Sequence, residues 1–340
     1  MPNTITIQDV ESARLLVQKH LVTTPLVHSP EFSEAVGSDV YFKLESFQLT
    51  HAFKARGALY KVSSLTQAEK EKGVIAASSG NHALGVAFSS ALLGIEATVV
   101  MPTGAPATKI EQARRYGAEV LLHGETYDDA LAHAQTLARE HGKALLSSFD
   151  DPKVIAGQGT IALEVLDSLP DVDVFVAPIG GGGLVSGLVF TLHELQHPAR
   201  VIGVEAAGAP KMLESLRAGE RIKLPRIETI ADGIAVQQPG ALNFDFVRRY
   251  VKEILTVTDA QIYEAMGRML YDVRVVVEPA AAAPVAALLF DETLHNLDQT
   301  ICCIITGGNI SHTLLQRVAE GRGTPASTRK ADSPRPTSIM

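Results

Sequence analysis

Short apolar runs alternate with stretches of helical periodicity almost from end to end of this chain, and that rhythm limits the fold more than any single motif. Residues 73–77, 96–101, 119–122 and 144–147 read as strands, separated by helices over 82–93, around Lys109, Ala113 and Tyr116, and over 127–141. A second series follows Asp151-Pro152, with a helix over 157–168, strands at 172–177, 201–204, 253–257 and 301–305, and a helix over 260–271. Runs that are apolar throughout belong to strands buried on both faces, the pattern of parallel sheets covered by helices. The expected fold class is α/β, with two parallel-sheet domains and a ligand crevice between them, at the carboxyl ends of the strands.

The bulk properties remove several function classes. A formal net charge of −8 with mixed signs throughout argues against nucleic acid, whose phosphates call for a basic face. The first residues lack a basic start followed by an apolar stretch, and apolar runs such as 172–179 are too short to span a bilayer, so neither export nor a membrane is expected. Cys302 and Cys303 are adjacent on a predicted strand and face opposite ways, which offers no disulfide framework and fits a cytoplasmic location. The 11 histidines show no H-x-x-x-H spacing, so no metal is expected. From Gly321 to the end the chain has too little apolar content to pack, and residues 321–340 are expected to be disordered.

Two segments carry chemistry. Gly180, Gly181, Gly182 and Gly183 lie between an apolar strand and a helical stretch, where backbone N–H groups can approach an anion and a helix presents its positive end. By itself the run is open to three readings. One is a phosphate cradle for a cofactor such as pyridoxal phosphate. Another is a dinucleotide site, because Gly181-x-Gly183-x-x-Ser186 nearly matches the fingerprint and Glu205 ends the next strand. The third is a tight turn. Lys54, in the segment Phe53-Lys54-Ala55-Arg56-Gly57-Ala58, is the second element: a lysine that is buried loses preference for its charged form and serves as an amine nucleophile or base. An amine for a carbonyl and a cradle for a phosphate are the two halves of a pyridoxal phosphate site.

Further segments extend this pairing: Lys43-Leu44-Glu45, Ser78-Ser79-Gly80-Asn81-His82, Ala156-Gly157-Gln158-Gly159-Thr160, Ala231-Asp232-Gly233, Glu278-Pro279 and Thr306-Gly307-Gly308-Asn309. In kind and order, over most of residues 20–310, they make the chain resemble the fold-type II pyridoxal phosphate enzymes, in particular the threonine/serine dehydratase and serine racemase group. The resemblance implies that Lys54 holds the cofactor aldehyde as an imine, that Phe53 lies against the ring, and that Asn81 bonds the ring hydroxyl. It places the phosphate at Gly180, Gly181, Gly182 and Gly183, gives room beside the ring at Gly233, and sets Thr306 at the pyridine nitrogen with Glu278 nearby. Ser78, Ser79, Gly80, Asn81 and His82 would bind the substrate carboxylate, largely through backbone N–H groups. It also implies a large cofactor-binding domain of residues 1–65 and 148–320, a small substrate-side domain of residues 66–147, and assembly into a homodimer or homotetramer.

The expected reaction is β-elimination from a 3-hydroxy amino acid such as threonine or serine, giving a 2-oxo acid and ammonia. A neutral Thr306 hydroxyl cannot keep the pyridine nitrogen protonated as a carboxylate would, which favours chemistry that expels a leaving group as the Cα proton departs. Lys54 is the expected base. Ser79 stands where related racemases carry an acid/base hydroxyl, so amino-acid racemisation is the first alternative, followed by β-replacement; a dinucleotide-dependent oxidoreductase is a distant one. Racemase-like relatives bind a divalent cation with a glutamate, a carbonyl and an aspartate. Here Glu205 and Ala209 fit the first two, but Lys211 stands at the aspartate position, where its ammonium would repel a metal and replace it.

Overall fold

The computed structural model describes residues 5–321. The expected disordered tail lies, from residue 322 on, outside the described residues. Ten strands are present among them: β1 Leu26–His28, β2 Asp39–Leu44, β3 Val74–Ala77, β4 Ala97–Met101, β5 Glu119–Leu122, β6 Ala144–Leu145, β7 Val174–Pro178, β8 Arg200–Ala206, β9 Glu253–Val257 and β10 Thr300–Ile305. The chain divides into two compact units, one of Met1–Thr23 with Gln48–Thr160, the other of Thr24–Phe47 with Ile161–Met340.

The first unit holds a parallel sheet in the order β5-β4-β3-β6. β3 and β4 are buried at every position, as their unbroken apolar runs require. The helix Tyr127–His141, which packs on β3 and β4, starts where its residue types dictate. Thr126 accepts from the Asp129 N–H while the Asp129 carboxylate accepts from the Thr126 N–H, a reciprocal cap that satisfies N–H groups with no partner inside the helix.

The second unit holds a six-stranded sheet in the order β1-β2-β10-β7-β8-β9, parallel except for the β1–β2 pair. Its core joins Phe32, Phe42, Val176, Ile202 and Ile305 to the helix Pro279–Phe290, whose residues 279–288 are all buried. Burying a side chain of leucine or valine size stabilises by about 1.5–3 kcal/mol, so this helix is held by its surroundings and has no polar face to offer water. The two cysteines are free and fully buried on β10, and burial pushes the Cys302 thiol up to about 12, which leaves it without nucleophilic character. Among the described residues no helix is long and apolar enough to cross a membrane.

The mixed α/β architecture with two parallel sheets agrees with the sequence reading. In both sheets the chain reverses its direction of travel at one strand pair: β3 beside β6 in the first, β7 beside β10 in the second. Adjacent carboxyl ends at such a reversal leave an opening where open α/β sheets bind ligands.

Candidate active site

In the first unit the candidate residues gather at the β3–β6 reversal. Lys54 opens the helix Lys54–Ser63, with Phe53 as its N-cap, and is half-buried. Its Nζ donates to the Ser148 carbonyl just beyond β6 at 2.7 Å, and stands 5.1 Å from the centre of the Phe53 ring. Ser78 follows β3, and its Oγ accepts the Gly80 N–H at 3.1 Å, which shapes the turn. The helix Asn81–Leu92 then begins with Gly80 as N-cap and no side-chain cap. Ser79 and Asn81 are half-buried there. This helix passes directly over Lys54. A Cβ added at Gly85 would come within 3.1 Å of the Lys54 carbonyl carbon and oxygen, tighter than ordinary contact, so glycine lets the two backbones meet without either giving way.

His82 behaves differently from its neighbours. Its side chain is buried, and Nε2 bonds the Leu146 carbonyl at 3.2 Å, so Nε2 carries the proton. Burial first and the Lys54 ammonium second push its pKa down to about 3. Its ring is therefore committed to structure, which leaves its backbone N–H as the part that could meet a substrate.

In the second unit the candidates gather at the β7–β10 reversal. The glycine run follows β7, with Gly181, Gly182 and Gly183 buried and Gly180 half-buried. Gly182 has φ +102°, and a side chain there would strike Asn243 Cβ at 2.7 Å, so both conformation and space require glycine. The helix Gly183–Glu194 starts from this loop. Gly233 lies beside the run, its carbonyl 3.4 Å from a Cβ built on Gly180. A Cβ built on Gly233 would in turn lie 3.6 Å from Glu278 Oε1. Thr306, at the end of β10, is buried, and the Glu278 N–H donates to the Gly307 carbonyl at 3.0 Å. Gly180, Gly233, Glu278 and Thr306, far apart in the chain, are thus brought to one end of one sheet.

Glu205, near the end of β8, and Lys211, which opens the helix Lys211–Ala218, flank the loop between them, both with no exposed side-chain surface and 2.9 Å apart. The Glu205 carboxylate also accepts the Met212 N–H at 3.0 Å and the Leu213 N–H at 2.9 Å. Both of its oxygens are engaged inside the protein, which removes the ribose partner that a dinucleotide site would need. The Lys211 Nζ donates to the carbonyls of Ile179 and Ile234 as well. Burial lowers the Lys211 pKa and Glu205 opposes that shift. Among the described residues no group of three or more His, Cys, Asp or Glu side chains is placed to hold a metal ion.

A second buried pair was not anticipated. Lys43 Nζ lies 2.6 Å from Glu164 Oε2 and donates to the Thr24 carbonyl, while Thr24 Oγ1 donates to Glu45. This gives the Lys43-Leu44-Glu45 segment a structural purpose, but the partners stand so far apart in sequence that no local spacing pointed to them.

Residues 17–307 match the family described as pyridoxal-phosphate dependent enzymes. The chain belongs to that family. It is 44% identical to an L-threonine ammonia-lyase of Geobacter sulfurreducens over 94% of this chain and 79% of the relative. With an L-threonine ammonia-lyase of Thermotoga maritima it shares 40% identity over 96% of this chain and 80% of the relative. Among solved structures, maize serine racemase superimposes with a TM-score of 0.89 at 33% identity, covering 93% of this chain and 97% of that one.

The residues fit the family's cofactor. The amine expected to carry the aldehyde is half-buried at the end of a helix, and the cradle expected to carry the phosphate is a loop at which a Cβ on Gly182 would collide with its surroundings. Thr306 supplies a neutral hydroxyl, and Glu278 a buried carboxyl, at the reversal that the cradle shares.

Proposed function

We propose that this chain is a pyridoxal-phosphate-dependent ammonia-lyase that converts a 3-hydroxy-α-amino acid, L-threonine first and L-serine second, into a 2-oxo acid and ammonia. Lys54 carries the reading: a half-buried amine at the start of a helix, with the uncapped end of a second helix drawn against it through Gly85. The two ammonia-lyase relatives support the reaction type.

In this reading Lys54 holds the cofactor aldehyde, Phe53 and Gly233 flank its ring, Asn81 bonds its hydroxyl, and Gly180 to Gly183 hold its phosphate. Bound there, the cofactor draws electrons away from the substrate Cα. The N–H groups opening the helix Asn81–Leu92 face the substrate carboxylate, an anion for which an uncapped helix start is suited. Lys54 Nζ, the amine at the start of its helix, would be the base that takes the substrate Cα proton. The ammonium so formed stands ready to protonate the departing β-hydroxyl, so that water leaves and the Cα–Cβ double bond forms. Once released from the site, the enamine would take a proton at Cβ to become an imine, which water hydrolyses to the 2-oxo acid and ammonia. Thr306 would offer the cofactor's ring nitrogen only a neutral hydroxyl, which would leave the electron sink modest and favour concerted loss of the β-substituent.

Ser79 supports a second activity. A hydroxyl in the turn before the helix Asn81–Leu92 can return a proton to Cα and so racemise the substrate; maize serine racemase shares this chain's fold.

The sheets support a functional division into residues 1–65 with 148–320 on the cofactor side and 66–147 on the substrate side, since β3 to β6 fall in the latter stretch. Self-association into a homodimer or homotetramer completes the reading, with Leu15 (71% exposed) and Phe47 (54% exposed) as large apolar side chains left at the surface. The free cysteines suit a cytoplasmic enzyme.

The test is a panel of 3-hydroxy amino acids scored for 2-oxo acid, ammonia and enantiomer interconversion. Wild-type protein is expected to absorb visible light through its bound cofactor and to release 2-oxo acid from threonine. Lys54→Ala is expected to lose the absorption band and about 10³-fold in rate. Interconversion of enantiomers without ammonia would replace the lyase by the racemase, and a colourless wild type would sink both.

A further inference from the structure

The glycine run is held by its carbonyls. The carbonyl of Ile179, just before Gly180, accepts from Lys211 Nζ. That of Gly181 accepts from Asn243 Nδ2 and from the Gly240 N–H, each at 3.0 Å. Every described peptide bond is trans, and a trans peptide carries its C=O and N–H on opposite sides of one plane. Fixing the Ile179 carbonyl therefore fixes the direction of the Gly180 N–H, and fixing the Gly181 carbonyl does the same for the Gly182 N–H. Glycine peptides need such outside help, because no side chain restricts their rotation.

Both holders are themselves rigid. Lys211 is fully buried, tied to Glu205 at 2.9 Å and to the Ile234 carbonyl at 3.2 Å. Its charge is engaged by protein oxygens on three sides, so it offers direction and not attraction. Asn243 is fully buried too, on the helix Ala241–Tyr250, and sits so close to Gly182 that no other residue fits opposite it.

We propose that Lys211 and Asn243 are positioning residues for phosphate recognition: by holding the carbonyls of Ile179 and Gly181, they aim the N–H groups of Gly180 and Gly182 at the cofactor phosphate. The proposal rests on reading the run as a phosphate cradle. Preorganised N–H groups bind an anion without first having to be turned and ordered. Glu205 belongs to the same device, since its carboxylate, 2.9 Å away, opposes the loss of the Lys211 charge through burial and holds the amine in place.

The experiment compares dissociation constants for pyridoxal phosphate and for pyridoxal, which lacks the phosphate, in the wild type, Lys211→Met and Asn243→Ala. Protection against thermal unfolding by inorganic phosphate gives a readout independent of catalysis. Each variant is expected to bind pyridoxal phosphate roughly 10- to 100-fold more weakly and pyridoxal within about threefold of wild type, the weight of one or two charge-assisted hydrogen bonds. Phosphate should no longer protect either variant. Equal weakening towards both ligands, or none towards either, would mean that the two residues only support the fold. Should Lys211→Met fail to fold, Asn243→Ala decides alone. A wild type that shows no preference for pyridoxal phosphate over pyridoxal would overturn the cradle reading itself, and this proposal with it.

Discussion

The imidazole of His82 is buried, bonded to the Leu146 carbonyl at 3.2 Å, and has its pKa pushed down to about 3, chiefly by burial and next by the Lys54 ammonium. In the unfolded chain the same ring titrates near 6.5. Between those values the unfolded chain binds a proton that the folded chain refuses, so stability is lost as pH falls below 6.5. Taken from pH 7 to about 5, the loss is about 2 kcal/mol. His82→Gln keeps a donor for Leu146 and removes the titration. Its unfolding midpoint in urea is expected to fall less than that of wild type over this pH range, and parallel pH profiles would refute the assignment. The Ser78 to His82 segment was legible as a motif, but the ring's commitment to Leu146 was not, because a hydrogen bond to a backbone carbonyl leaves no trace in residue type. The same holds for Lys211. Its pairing with Glu205 could be anticipated, whereas its bonds to Ile179 and Ile234 could not.

Helix Lys54–Ser63 is buried on almost every side and crosses helix Pro152–Ser168 where both carry glycine. A Cβ on Gly157 would lie 2.6 Å from the Arg56 carbonyl oxygen and 2.6 Å from Gly57 Cα. Those are backbone atoms, which cannot turn aside as a side chain would. Gly157→Ala is expected to destabilise by about 3 kcal/mol and to displace Lys54, one turn away, with a matching loss of rate. Gly267 makes the useful contrast. It lies inside helix Asp259–Arg268, and a Cβ there would meet nothing within 4 Å. Gly267→Ala should stabilise by roughly 0.5–1 kcal/mol with activity unchanged. Thermal melts of both variants check the pair. Continuously apolar strands and the capped helix Tyr127–His141 could be read from the sequence because burial on two faces and helix ends both select residue types. β1 could not, since Leu-Val-His is too short for any periodicity to register. Nor could helix Pro279–Phe290, where alanine predominates and no face differs from another. The helix over 260–271 was anticipated as one piece; the structure ends it at Arg268 and widens the next turn into a π-helix over Met269–Val273, which hydrophobic spacing does not distinguish.

Neither compact unit is continuous in the chain: residues 24–47 leave the first unit to supply β1 and β2 to the second, and the chain returns to the second only after Thr160. The alternating pattern revealed two series of strands, but not this exchange, because pairing between distant strands depends on register in space. β2 runs alongside β10 from Asp39 opposite Thr300 to Leu44 opposite Ile305. A fragment of residues 161–340 would therefore expose an unpaired β10 edge and the apolar core beneath it. It is expected to aggregate on expression, whereas a soluble, cooperatively melting fragment would show that β1 and β2 are dispensable. The same connection sets a timetable for biosynthesis. Val40, Phe42 and Leu44 leave the ribosome early, yet their neighbours on β10 are translated roughly 260 residues later, a delay of about 13–50 s at 5–20 residues per second. Throughout that interval β2 has only the three-residue strand β1 as a sheet partner, and its other edge waits for the last of the described strands to be made.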